Sequence, residues 1–406
     1  LGGVLPALAQ GDDNPLPAPP GLILVGDETG LYSMNADGTE KVYVAQTEQA
    51  GCWLRDGKWS PDNTQIVYTE ICGGSDPTDW RSANRTAIIH LYDVESQSDE
   101  VLLETDGTSQ DYVGGWSPNG EELVLYSNRG TSFIYNLFLL DIDRQELTQL
   151  TDFDSNAGRA TFDPTGQYVL YNRYDAAQAR WDIRALDVND PTTEILVAVG
   201  LTPNWSPDGK WIAYSSERNA SSDLADVFVM PTDCIYNNTP CEPGQEKNIT
   251  YTPEIGEREP LWSSDQTQII YLRNTNPTPG AELWDIFRQE LKTGRLVKLT
   301  DTTDVSERHT DWQRTETAEM VEVETVLPVV VSVTSATLNL RNGPSTGAQV
   351  AGQPVNNGQF LFVQSVNAAG DWYYITLPAD GTSAWVFGDF TQTVEGDPTT
   401  LPVRED

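Results

Sequence analysis

One box of residues recurs along this chain and fixes what it can fold into. Lys58-Trp59-Ser60-Pro61-Asp62 is followed by an apolar run at 65–68, and Trp116-Ser117-Pro118-Asn119-Gly120 by one at 122–126. Phe162-Asp163-Pro164-Thr165-Gly166 precedes the run 168–171, and Trp205-Ser206-Pro207-Asp208-Gly209 precedes 211–214. Trp262-Ser263-Ser264-Asp265 precedes 269–271, and a lone aromatic, Trp312, ends the series. The anchors at 59, 116, 162, 205, 262 and 312 stand 57, 46, 43, 57 and 50 residues apart. Each interval holds about four short strands, the content of one propeller blade.

Each unit has a physical reading. The aromatic ends an inner strand, Pro fixes φ in a tight turn, Gly permits φ > 0, and an apolar strand returns. A second hairpin follows, as at 137–141 with 147–150, or 286–291 with 297–299. The two longest intervals carry insertions, at 73–86 and 233–247. The leading runs 22–25, 31–34 and 42–44 give three strands without an inner one, and Trp312 gives an inner strand without a following blade. Joined, they complete one blade and close the ring, so five intact repeats and one composite make six. The expected fold class is all-β, with a six-bladed β-propeller over 21–315.

The boxes resemble those of the TolB-like family of WD40-like propellers, whose Trp-Ser-Pro-Asp-Gly signature stands complete at 205–209. Phe162-Asp163 and Ser264 depart from it. Beyond a Thr/Glu/Val linker at 316–331, Leu338-Asn339-Leu340-Arg341-Asn342-Gly343-Pro344-Ser345 and the later Trp372 and Trp385 resemble a bacterial SH3-like domain over 332–392. Ala384 stands where that family usually has Gly. The resemblance implies an SH3-like β-barrel with a shallow aromatic groove, here Trp372, Tyr373, Tyr374 and Trp385, which in some members binds peptidoglycan peptides. Residues 393–406 read as an extended acidic tail.

Composition then narrows the partners. Lys+Arg 24 against Asp+Glu 61 gives a net charge of −37, which excludes nucleic acid and anionic lipid as partners, since both require a basic face. No apolar run approaches the ~20 residues that span a bilayer. Four cysteines fall as two close pairs in a spacing that does not suit zinc. If Trp59 opposes Gln65 in a hairpin, counting outward places Cys52 opposite Cys72. Cys234 and Cys241 close a short interval. Two disulfides imply an oxidising, extracytoplasmic location, secreted, cell-surface or periplasmic. Residues 1–10 (LGGVLPALAQ) read as the apolar tail of an export signal with Ala7-Leu8-Ala9 as a cleavage-like site. If retained, the 1–20 arm has to dock on something.

Chemistry is sparse. There is no GxSxG elbow, HExxH, P-loop or GxGxxG, and only two His, so no enzyme and no cofactor are expected. Calcium is weighed at Asp141/Asp143, Asp152/Asp154 and Asp301/Asp304, against the commoner reading of Asp as a turn-former. The box tryptophans, at one fixed repeat position, read as packing between blades. One constellation stands out: Arg55, Arg159, Arg258 and Arg308 lie three or four residues before their anchors, beside Asp56, Glu259 and His309. They read as a channel-mouth ring for an anion, or as Arg–carboxylate pairs tying neighbouring blades. The expected role is a non-catalytic structural or interaction protein of the bacterial cell exterior. It associates with copies of itself, as a filament or surface layer, or with another cell-surface protein, using the arm or the linker strand Val329-Val330-Val331. The alternative is a cell-wall-tethered module with the SH3-like domain on peptidoglycan and the propeller on a protein partner.

Overall fold

A computed structural model describes residues 16–404, apart from 48, 50, 74–84, 104–108, 132, 218–223, 277, 279–281, 304–305 and 316–318. The apolar stretch 1–10 and most of the 73–86 insertion lie outside the described residues.

Alternating apolar positions and dense turns yield an all-β chain. Six four-stranded antiparallel sheets are followed by a five-stranded sheet and a two-stranded ribbon. The anchor aromatics each end the first strand of a sheet: Cys52–Trp59, Asp111–Trp116, Ala157–Phe162, Leu201–Trp205 and Glu257–Trp262. The remaining sheet is composite. Leu22–Gly26, Gly30–Asn35 and Val42–Gln46 are joined by Arg308–Trp312, with Ile23 opposite Trp312 and Leu24 opposite Asp311. These six anchor-bearing strands touch in sequence, and 308–312 returns to 52–59, so they close a ring.

The turn after each anchor is held by one side chain. The Ser60, Ser117, Ser206 and Ser263 hydroxyls each accept the backbone N–H five residues on, at 2.9–3.0 Å. Where the box departs, Asp163 takes over, its Oδ1 accepting the Tyr168 N–H at 2.7 Å. The left-handed corner is occupied by Gly120, Gly166 and Gly209, and by Asn63 and Gln266 in the other two turns. An amide side chain thus replaces Gly twice at the cost of local strain.

Burial explains why the sheets assemble. Each sheet-to-sheet junction has its own apolar cluster, such as Leu24, Leu31, Leu54, Ile66 and Tyr68 between the composite sheet and the next. The remaining five junctions are filled in the same way. Indoles add a directional tie. Trp116 Nε1 donates to Lys58 O (3.2 Å), Trp205 Nε1 to Thr161 O (3.4 Å) and Trp262 Nε1 to Asn204 O (3.4 Å). Each acceptor is the residue before the anchor of the preceding sheet.

Both disulfides, Cys52–Cys72 and Cys234–Cys241, are formed. The hairpin register differs from the expected count, because Trp59 faces Ile66 rather than Gln65. An extra residue between Arg55 and Lys58 restores Cys52 opposite Cys72.

The C-terminal region corrects two expectations. Val329–Val333 is not an exposed linker strand but lies inside the five-stranded sheet, between Phe360–Val366 and Thr391–Glu395. Val330 and Val331 are fully buried. The tail is not simply extended either, since Thr391–Glu395 is a strand and Pro398–Thr400 a single 3-10 turn. This sheet also touches the ring: Tyr251 packs on Phe360 with centroids 4.8 Å apart, and Lys247 pairs with Glu395. Among the described residues no helix is long and apolar enough to cross a membrane.

Candidate functional site

The centre of the ring is shaped by a repeated irregularity. Pairing slips by one residue just before the anchor in each of the six anchor-bearing strands, as between Arg55 and Lys58 or Arg258 and Leu261. Four of these bulges hold a non-glycine residue in the left-handed region: Asp56 (φ 55°), Arg159 (φ 54°), Thr202 (φ 52°) and Glu259 (φ 56°). Each stands three residues before its anchor. Left-handed non-glycine residues cost about 1–3 kcal/mol each and concentrate where a side chain has to be re-aimed.

What they aim is charge. Arg159 reaches across to Asp56 (Nη1–Oδ1 3.1 Å) and to Glu259 (3.7 Å), while Arg55 Nε meets Asp56 Oδ2 at 3.2 Å. Burial works against the Arg159 charge, but Asp56 and Glu259 more than offset it and hold its pKa above the usual arginine value. Arg159 and Glu259 sit in the walls of two cavities, one of about 360 Å³ and one of about 410 Å³. The bridge therefore stands where the two chambers meet.

The smaller chamber gathers the sequence candidates. Arg55, Arg159, Arg258 and Arg308 all line it. The register is regular: the residues four before each anchor, Arg55, Tyr112, Gly158, Leu201, Arg258 and Arg308, are all wall residues. Arg258 lies over the Trp284 ring at 3.7 Å. Burial draws its pKa down to about 10, with Glu259 opposing and Arg308, Arg159 and Arg55 adding to the fall.

Sequence reasoning missed the other walls. Tyr112 and Tyr126 stack at 5.1 Å, and Tyr135 meets them edge-on. Gln110 Oε1 accepts from Tyr112 (3.1 Å) and Tyr135 (2.7 Å), and Tyr126 donates to Asp56 (3.3 Å). Arg85, at the end of the insertion, also lines the chamber. Tyr112 was legible in the repeat register; Arg85 and Tyr135 carry no sequence signal.

The remaining candidates are placed differently. Trp372, Tyr374 and Trp385 are 5 %, 7 % and 1 % exposed and form a packed cluster with Phe387, not an open groove. Arg404 covers the Tyr374 face at 3.9 Å, and Tyr373 packs toward the other side of the sheet. Asp141 pairs with Arg144, Asp154 with Arg173 and Asp301 with Lys298, whereas Asp304 lies outside the described residues. Among the described residues the closest grouping of metal-ligand types is Cys52, Glu70 and Cys72, whose two sulfurs are joined to each other.

A closed ring of antiparallel sheets around an ion-paired channel defines a TolB-like propeller fold. The chain is 24% identical to the Tol-Pal system protein TolB of Francisella tularensis subsp. mediasiatica over 202 residues, 48% of this chain and 42% of that protein. The TolB of Francisella tularensis subsp. holarctica gives the same identity and coverage. The chain thus spans less than half the length of these curated relatives. Among solved structures, TolB from Acinetobacter baumannii matches with a TM-score of 0.53 at 16% identity, covering 73% of this chain and 67% of that one. The putative TolB from Agrobacterium tumefaciens matches at 0.50 and 14% identity, covering 72% and 99%. No protein-family model matches.

Proposed function

We propose that this chain is a non-catalytic, extracytoplasmic binding protein. A six-bladed β-propeller holds a protein partner at its channel, and an SH3-like domain is carried on the propeller's flank. The observation that supports it most is the row of strained bulges, which turns Asp56, Arg159 and Glu259 into the channel. The apolar clusters between the sheets do not include those charges, which pair with one another across the channel. The two disulfides support the location. The relatives' name supports an interaction role of the Tol-Pal kind.

Self-assembly keeps one of its two routes. Val329–Val333 is already paired on both sides, which leaves the arm, and deletion of residues 1–15 followed by electron microscopy tests that reading. The cell-wall reading requires the Arg404 cover to lift from Tyr374, and pelleting of the whole chain with purified peptidoglycan tests it.

The main reading is tested by site-specific photocrosslinking in the source cells. A crosslinker replacing Tyr112 in the chamber should trap a discrete protein adduct. One replacing the exposed Val42 of an outer strand should not. Adducts of equal yield at both positions, or at neither, would refute it.

A further inference from the structure

The smaller chamber is asymmetric. Around the ring, four residues before each anchor, Arg258, Arg308 and Arg55 follow one another on adjacent strands, and Tyr112, Gly158 and Leu201 complete the circle. One arc is cationic; the other is aromatic and aliphatic, with Gly158 against the Tyr126 ring.

Several arginines elsewhere in the chain are neutralised at short range, while Arg288 and Arg341 are held by backbone carbonyls. Arg129 meets Asp111 at 2.8 Å, Arg180 meets Asp182 at 3.0 Å and Arg184 meets Asp182 at 2.9 Å. Arg258 and Arg308 differ, for neither makes an ion pair among the described residues. Arg258 is held by the Trp284 face, and its Nε has no hydrogen-bond partner there. A ring face keeps a guanidinium in place without cancelling its charge. Asp56 offsets Arg55 and Glu259 partly offsets Arg258, and an anion entering the chamber would relieve the repulsion that is left along this arc. The planar forks of arginine match a carboxylate in two-point contact.

The opposite arc selects what carries the carboxylate. The Tyr112 and Tyr135 hydroxyls are engaged by Gln110 and that of Tyr126 by Asp56, so this arc is lined by tyrosines whose hydroxyls are already satisfied. Gly158 lies against the Tyr126 ring, which a Cβ there would meet at 3.2 Å, and Leu201 is aliphatic. A volume of about 360 Å³ lies within the range of small-ligand pockets, roughly 300–1,000 Å³.

We infer that this chamber binds a peptide C-terminus: its α-carboxylate on Arg258, Arg308 and Arg55, and an apolar last side chain against Tyr112, Tyr135 and Leu201. The inference deepens the partner-binding reading and rests on it only in taking the ligand to be a protein.

The test uses the full-length, disulfide-bonded protein and calorimetric titration. The probes are acetyl-Ala-Ala-Phe with a free carboxylate, its C-terminal amide and inorganic phosphate. The free acid should bind, and the amide should bind about tenfold or more weakly. Arg258→Gln/Arg308→Gln should lose a similar factor, Arg308→Lys should lose less, and the outlying Arg144→Gln should bind as wild type. Acid and amide binding alike, no binding of either, or phosphate binding more tightly than the acid would overturn the inference. So would undiminished binding by the double variant. Because acid is compared with amide on wild type, the test stands even if the double variant fails to fold. A chamber adduct in the crosslinking experiment without carboxylate binding would sink this inference and leave the partner reading intact.

Discussion

Glu257 and Glu307 should make the fold less stable as pH rises through neutrality. Glu257 is fully buried, and burial first of all, then Asp226, pushes its pKa up to about 7 against the pull of Arg273. Glu307, 1 % exposed, is likewise raised to about 7, by burial and by neighbouring Asp285. A carboxyl raised in the folded state keeps its proton there after the unfolded chain has released it. This contribution is whole below about pH 4.5 and is lost as pH climbs through 7. Each group stands about 2.5 pH units above the ordinary glutamate value, at about 1.4 kcal/mol per unit, so each is worth roughly 3 kcal/mol at most. Relaxation around the charges reduces this, so the pair should cost about 2–4 kcal/mol between pH 5 and pH 8, a fall in Tm on the order of 2–5 °C for a chain this long. Tryptophan-fluorescence melts at constant ionic strength at pH 5, 6, 7 and 8 measure it. The acidic chain's self-repulsion adds a slope of the same sign, so the comparison is with Glu257→Gln/Glu307→Gln, which should melt on a visibly flatter profile. Parallel profiles for wild type and variant, or a Tm that rises with pH in wild type, would refute the reasoning.

Other outcomes follow from single contacts. His90, stacked on Tyr68 and flanked by Asp99 (3.3 Å) and Glu70 (3.7 Å), is drawn down by burial but raised further by both carboxylates, to about 9. Its contribution is whole below pH 6.5 and lost as pH rises through 9, so His90→Gln should flatten alkaline melts between those values. Trp205→Phe keeps most of the ring but loses the bond to Thr161 O and should cost about 1 kcal/mol, and Trp205→Ala about 3–5 kcal/mol, by urea denaturation. Reducing Cys52–Cys72, which closes a 20-residue separation, should cost about 3 kcal/mol and the 7-residue Cys234–Cys241 about 2 kcal/mol, read as reductant-dependent Tm shifts in single Cys-pair knockouts. Gly294 has φ 69°, and a Cβ there would meet Phe362, so Gly294→Ala should loosen the C-terminal sheet from the ring and raise protease cleavage between residues 313 and 328.

The repeat register carried most of what was legible. Anchor aromatics, turn residues and the composite sheet follow from local chemistry repeated at one spacing. The bulges were not legible, since a one-residue slip leaves the apolar alternation on each side intact and shows only as the Trp59–Gln65 miscount. The aromatic groove failed for a reason of period: Trp372 and Tyr374 share one strand face and Tyr373 lies on the other, so four aromatics in sequence are not four in one groove. Val329–Val331 was read as exposed because its neighbours Thr391–Glu395 and Phe360–Val366 come later in the chain. The arginine positions were readable from the register; their tyrosine walls, from other strands, were not.

The composite sheet also sets a timetable. Ile23 and Trp312 pair across 289 residues, so the first three strands of the ring stay without their fourth until the rest of the ring has been synthesised. Closing so long a loop late costs chain entropy before any contact repays it, and such pairings form slowly. Until 308–312 docks, the composite sheet has a bare edge at 22–26. The last-made strand of the ring therefore acts as a clasp that cannot fasten early.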